Sequence, residues 1–179
     1  MGNRCSSVNE LTVLTNIDIS NIKARTFAGQ RRLAKVVDVY DGDTITIVCK
    51  LDKTETYRRY KLRLAGIDAP EKKPSKTIAN RDLHIKAAGK VTELLTTKLG
   101  GIGSVIEVEF IQEEKFGRTM GTVWTIEQTT GCMHTRSSWH RKENVNEWLI
   151  KNSFVKAYDG DKKTEFTEVQ LNFIVASVA

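Results

Sequence analysis

No stretch of this sequence approaches the ~18 consecutive apolar residues that a membrane-spanning helix requires, and its N-terminus lacks the apolar core of a secretory signal. An intracellular protein that does not span a membrane is therefore expected. Cysteine is scarce. Cys5, Cys49 and Cys132 are odd in number and carry no metal-ligand spacing, which excludes a disulfide framework and fits a reducing compartment. A wholly disordered or collagen-like chain is excluded too, because 40% of the residues are hydrophobic against 28% charged. With 179 residues the chain buries one full core but is short for two, so one domain with extensions is expected, as a monomer. The net charge of +6 leans toward a polyanionic partner, either nucleic acid or an anionic membrane face.

Residues 1 to about 32 show no sustained period and read as an N-terminal arm. Its first residues, Met1-Gly2-Asn3-Arg4-Cys5-Ser6, match the pattern for N-myristoylation of Gly2, with Cys5 placed to take a second, palmitoyl, chain. One myristoyl chain binds membranes only marginally. Cys5, or the basic residues Lys23, Arg25, Arg31, Arg32 and Lys35, would have to supply the second signal for the cytoplasmic face of a membrane.

Two β-branched-rich runs, Leu33 to Tyr40 and Thr44 to Lys50, flank Asp41-Gly42-Asp43, a hairpin turn signal. A third strand, about Tyr57 to Gly66, sets apolar Leu62 and Leu64 against Lys61 and Arg63, so Arg63 points away from the leucine face. Pro70 ends that run. From about Thr77 to Leu99 the period becomes helical, with Leu83, Ala87, Val91, Leu94 and Leu95 on one face, and Gly100-Gly101 stops it. Ser104 to Phe110 and Arg118 to Thr125 form a further hairpin. Residues 126–143, polar and without period, read as a long exposed loop insertion. Asn144 to Glu147 has the form of a capping box before a short helix, and a last helix is expected near Thr164 with Phe166, Val169 and Phe173 buried. This order suits an α+β fold, a five-stranded OB-type barrel with about three packed helices over residues 33–179.

Five charged residues fall at the rims of these strands: Asp43, Arg63, Asp68, Glu71 and Arg118. Two carboxylates and a backbone carbonyl suit a hard divalent cation such as Ca²⁺. Two arginines supply forked donors for the charge that builds on a phosphoryl centre under attack. A carboxylate not needed by the metal can orient and deprotonate water. Together they make a complete phosphodiesterase set.

The segments Asp41-Gly42-Asp43-Thr44, Arg63-Leu64-Ala65-Gly66-Ile67-Asp68-Ala69-Pro70-Glu71, Glu114-Lys115-Phe116-Gly117-Arg118 and Val145-Asn146-Glu147 resemble, in order and spacing, the successive motifs of the staphylococcal nuclease family. The resemblance implies that Asp43, Asp68 and the Ala69 carbonyl bind Ca²⁺, that Glu71 is the general base, and that Arg63 and Arg118 bind the phosphate. It further implies hydrolysis of single- or double-stranded DNA and of RNA to 3′-phosphate products. Ala69 replaces a threonine of the bacterial enzyme, Glu114 an aspartate and Phe116 a tyrosine. A lipidated arm would resemble plant-type members of the family. The alternative is a non-catalytic OB-fold module that binds nucleic acid or peptide; degenerate modules of that kind would lack one or more of the five charged residues. Cys132, His134 and His140 read as part of a solvated loop, His84 as an exposed helix position, and Trp124 and Trp148 as packing residues.

Overall fold

The structure is a computed structural model that describes residue 16 and residues 27–50, 56–113, 119–129, 138–161 and 163–177. Gly2, Cys5, Arg118, Cys132 and His134 lie outside the described residues. Strands β1 (Arg31–Val39), β2 (Thr44–Cys49) and β3 (Arg58–Leu64) form an antiparallel meander. β1 also pairs with β5 (Val105–Glu113), β5 with β6 (Thr119–Thr129), and β6 runs parallel to β3. That last pairing closes a five-stranded barrel, the OB fold expected from the order of elements. Alternation fills it: Val36, Ile45, Ile47, Leu62, Leu64, Ile106, Val108, Phe110 and Val123 all point inward and are fully or almost fully buried.

Helix α1 (Arg81–Lys98) lies on the barrel through Ala87, Val91, Leu94 and Leu95, the stripe read from the sequence. Helix α2 (Val145–Lys151) starts at Asn144, whose side chain accepts the Glu147 N–H. Asn146, buried at its first turn, accepts the Val123 N–H at 3.1 Å and donates to the Ala65 carbonyl at 2.8 Å. One amide thereby ties α2 to β6 and to the turn after β3. Asn146→Ala is expected to lower stability by about 2–3 kcal/mol, because it leaves buried backbone groups unpaired. A thermal melt checks this.

Four expectations are corrected. The arm does not extend to residue 32: β1 begins at Arg31, the Gly29 N–H bonds Phe110 O at 2.7 Å, and Phe27 stacks obliquely on Phe110. The described residues of the loop expected over 126–143 are strand, since β6 runs to Thr129 and pairs with β7 (Ser138–Asn144). As the outermost strand, β7 has no core face and needs no apolar alternation. Its Arg141 instead pairs with Glu107 and lies 3.8 Å over the Trp124 ring. His84 is buried rather than exposed, because α1 packs against helix α3 (Glu168–Ala176) as well as the barrel. Finally, α3 begins at the Thr167 cap, not near Thr164, so Phe166 lies before it and sets no stripe: Leu171 and Ile174 are buried, whereas Val169 is 79% and Phe173 53% exposed.

Candidate active site

The site sits at one rim of the barrel, where the β1–β2 turn meets the bend after β3. Asp43 ends the β1–β2 turn, with its N–H bonded to the Asp41 carboxylate at 3.2 Å and its carbonyl accepting the Leu64 N–H at 2.7 Å. Gly42 is required there by close approach. A Cβ on it would stand 2.6 Å from Val91 Cγ1 and 2.7 Å from Ala69 Cβ, so the turn presses directly on α1 and on the segment after β4 (Ile67–Asp68). The last bend of β3 turns at Gly66, whose φ of +74° a side chain would resist.

Arg63 leaves β3 on the face opposite the leucines, as alternation requires, and enters this rim. Its Nη1 donates to Asp43 Oδ2 at 2.6 Å, and its Nη2 donates to the Ile67 carbonyl at 3.2 Å and stands 3.9 Å from Asp68 Oδ1. Arg63, Asp43 and Asp68 are only 8%, 5% and 5% exposed. A guanidinium held between two buried carboxylates is strongly fixed, since each charge depends on the others for solvation. Thr44 Oγ1 donates to the second oxygen of Asp43 at 2.8 Å.

Lys163, which the sequence reading did not single out, completes the cluster. Its ammonium bonds Glu71 Oε1 at 2.8 Å and stands 2.7 Å from Asp68 Oδ1. Burial alone would lower the Lys163 pKa, but the two carboxylates outweigh it and raise the value above the ordinary one. Asp68 Oδ1 is buried, and its charge is compensated by the Lys163 ammonium at 2.7 Å and by Arg63 at 3.9 Å. Asp41 adds a further carboxyl, pushed up to about 6 by burial first and then by the Asp43 charge. The antiparallel pairing of β4 with β8 (Lys156–Ala157) carries this part of the chain to the rim. It also brings the Tyr158 ring to 6.0 Å from Arg63 Cζ, beside a cleft of about 530 Å³ lined by Asp68, Tyr158 and Thr164.

The structure brings Asp43, Arg63, Asp68, Ala69 and Glu71 to one rim. Arg118 lies outside the described residues; the next residues, Thr119 and Met120, pair with Leu62 and Arg63. Among the described residues no three His, Cys, Asp or Glu side chains converge tightly enough to hold an ion by themselves. Asp43, Asp68 and a main-chain oxygen nevertheless suit a hard cation. The ligating atoms are all oxygen, Asp68 Oδ1 is buried with only side-chain cations beside it, and the three carboxylates Asp43, Asp68 and Glu71 face the two described cations Arg63 and Lys163.

OB barrels as a class bind oligonucleotides or oligosaccharides at one face and its loops. Residues 61–174 match the family model described as staphylococcal nuclease homologue, and the chain belongs to that family. Asp43 lies upstream of the matched segment, and the fold joins it to the site through Arg63. No curated protein matches the chain.

Proposed function

We propose that the chain is a calcium-dependent nuclease that hydrolyses DNA and RNA without regard to the sugar. The observation that carries this reading is the buried Arg63 clasped by Asp43 and Asp68, with the Glu71 carboxylate exposed beside them. In this reading Asp43, Asp68 and the Ala69 carbonyl hold Ca²⁺, which when bound supplies positive charge to a phosphate oxygen. Arg63, held at the rim, donates to the phosphate and stabilises the extra charge of the five-coordinate phosphorus, with Arg118 as a second donor. Glu71 takes the proton of the attacking water. Digestion of a 5′-labelled single-stranded oligonucleotide in Ca²⁺ tests the direction of cleavage. Fragments ending in 3′-phosphate, which migrate ahead of 3′-hydroxyl markers, are expected; 3′-hydroxyl fragments would refute the assignment.

Lys163 stands against the same carboxylates, so it competes with a divalent cation for them. Lys163→Met is expected to tighten Ca²⁺ binding by about tenfold, equivalent to ~1.4 kcal/mol. Titration calorimetry reads this directly, and an unchanged or weaker affinity would show that the ammonium does not oppose the ion.

A further inference from the structure

We infer that the outer face of β3 is a track for single-stranded nucleic acid, running from the catalytic rim through Lys61 and Arg59 to Tyr57. The inference rests on the nuclease reading and extends its substrate contacts. Leu62 and Leu64 are sealed in the barrel, so the opposite face of β3 carries Arg63, Lys61 and Arg59 in line. Alternate residues stand about 6.6 Å apart along a strand, close to one nucleotide step of an extended single strand. Arg63 ends this line at the buried site, whereas Lys61 and Arg59 are exposed and make no ion pair or side-chain hydrogen bond with any described residue. Their partners across β2 are the uncharged Thr46 and Val48, so nothing acidic on that strand faces them.

Tyr57, one residue ahead of β3, continues the same alternation. Its ring is 70% exposed, with the Lys50 ammonium 4.7 Å from its centroid. An exposed aromatic ring beside a row of unpaired cations is the combination that holds single strands: cations follow the phosphates and the ring stacks an unpaired base. Duplex offers no free base face to Tyr57. The β2–β3 face is also the side on which OB barrels bind oligonucleotides.

The test uses the full chain carrying Glu71→Gln, in EGTA, with fluorescence anisotropy on labelled dT15, dT3 and a 15-base-pair duplex across a salt series. Adding Arg59→Ala and Lys61→Ala is expected to weaken dT15 binding at least tenfold. It should also flatten the log K against log salt slope by about 1.4, at ~0.7 for each phosphate that the protein no longer neutralises. Tyr57→Ala is expected to cost roughly five- to a hundredfold for dT15 at unchanged salt slope, with little effect on duplex. dT3, too short to span the track, should lose less than dT15. Unchanged dT15 affinity and slope in the double variant would overturn the track, and equal losses for duplex and single strand in Tyr57→Ala would overturn its single-strand character. Failure of the nuclease reading looks different, because there the parent chain itself would leave denatured DNA uncut in Ca²⁺, whatever the anisotropy series shows.

Discussion

Glu71→Gln lowers the rate of phosphodiester hydrolysis by about 10²–10⁴-fold, the usual contribution of a positioned general base, and leaves the fold intact. Two features of the structure lead to this expectation. Glu71 follows Pro70 on a segment whose neighbour Asp68 is buried against Arg63, so its position is set by a rigid support. Its own side chain is 59% exposed, and its described partner is the Lys163 ammonium. An exposed pair of that kind contributes only about 0–1 kcal/mol to stability, so removing the charge should hardly move the melting temperature. Glutamine keeps the shape and the ability to accept from Lys163 but cannot take a proton from water near neutral pH. Calcium affinity should change little, because Glu71 is not needed to hold the ion. Turnover in the variant within a few-fold of the parent would remove Glu71 from the mechanism.

Arg63→Met is expected to damage both rate and stability. A donor to a developing oxyanion is worth about 10²–10³ in turnover. The structural cost arises because Asp43 and Asp68 remain buried after their shared cation is gone, and breaking a buried pair from one side costs about 3–5 kcal/mol. For a chain of this size that corresponds to a fall of about 10 °C in Tm. Calcium should reverse part of it, since an ion held by the same two carboxylates supplies the missing charge and stabilises by mass action. Differential scanning fluorimetry in EGTA and in Ca²⁺ should therefore show a larger calcium-induced rise in Arg63→Met than in the parent. A Tm indifferent to calcium in both proteins would mean that Asp43 and Asp68 do not hold the ion.

Much of this site is legible in the sequence because its residues lie where local rules are strong. Asp43 belongs to a tight turn between two alternating strands, and Arg63 falls on the polar phase of β3. Asp68 and Glu71 flank the proline that ends that run. Other parts are set by long-range packing that leaves no local period. Lys163 reaches the carboxylates only because β4 and β8 pair across most of the domain, Ile67 with Ala157 and Asp68 with Lys156. Strands of two residues show no alternation. His84 is hidden for a related reason: α1 is buried on two sides, by the barrel and by α3, so its buried face is wider than the single stripe its hydrophobic residues trace. β7 is obscured by its place at the sheet edge, where Arg141 and Glu143 make ion pairs instead of filling a core. In α3 the Thr167–Gln170 capping box fixes the start of the helix. Phe166 therefore packs on the core from the segment before the helix, and its spacing to Val169 and Phe173 marks no helical face.

The most direct test of the account is hydrolysis of denatured DNA by the purified chain in millimolar Ca²⁺, with EGTA and the Glu71→Gln variant alongside. The account predicts cleavage in calcium that stops in EGTA and is nearly abolished in the variant. A folded protein that binds the DNA yet leaves it uncut in calcium would contradict the account and identify the barrel as a non-catalytic binding module.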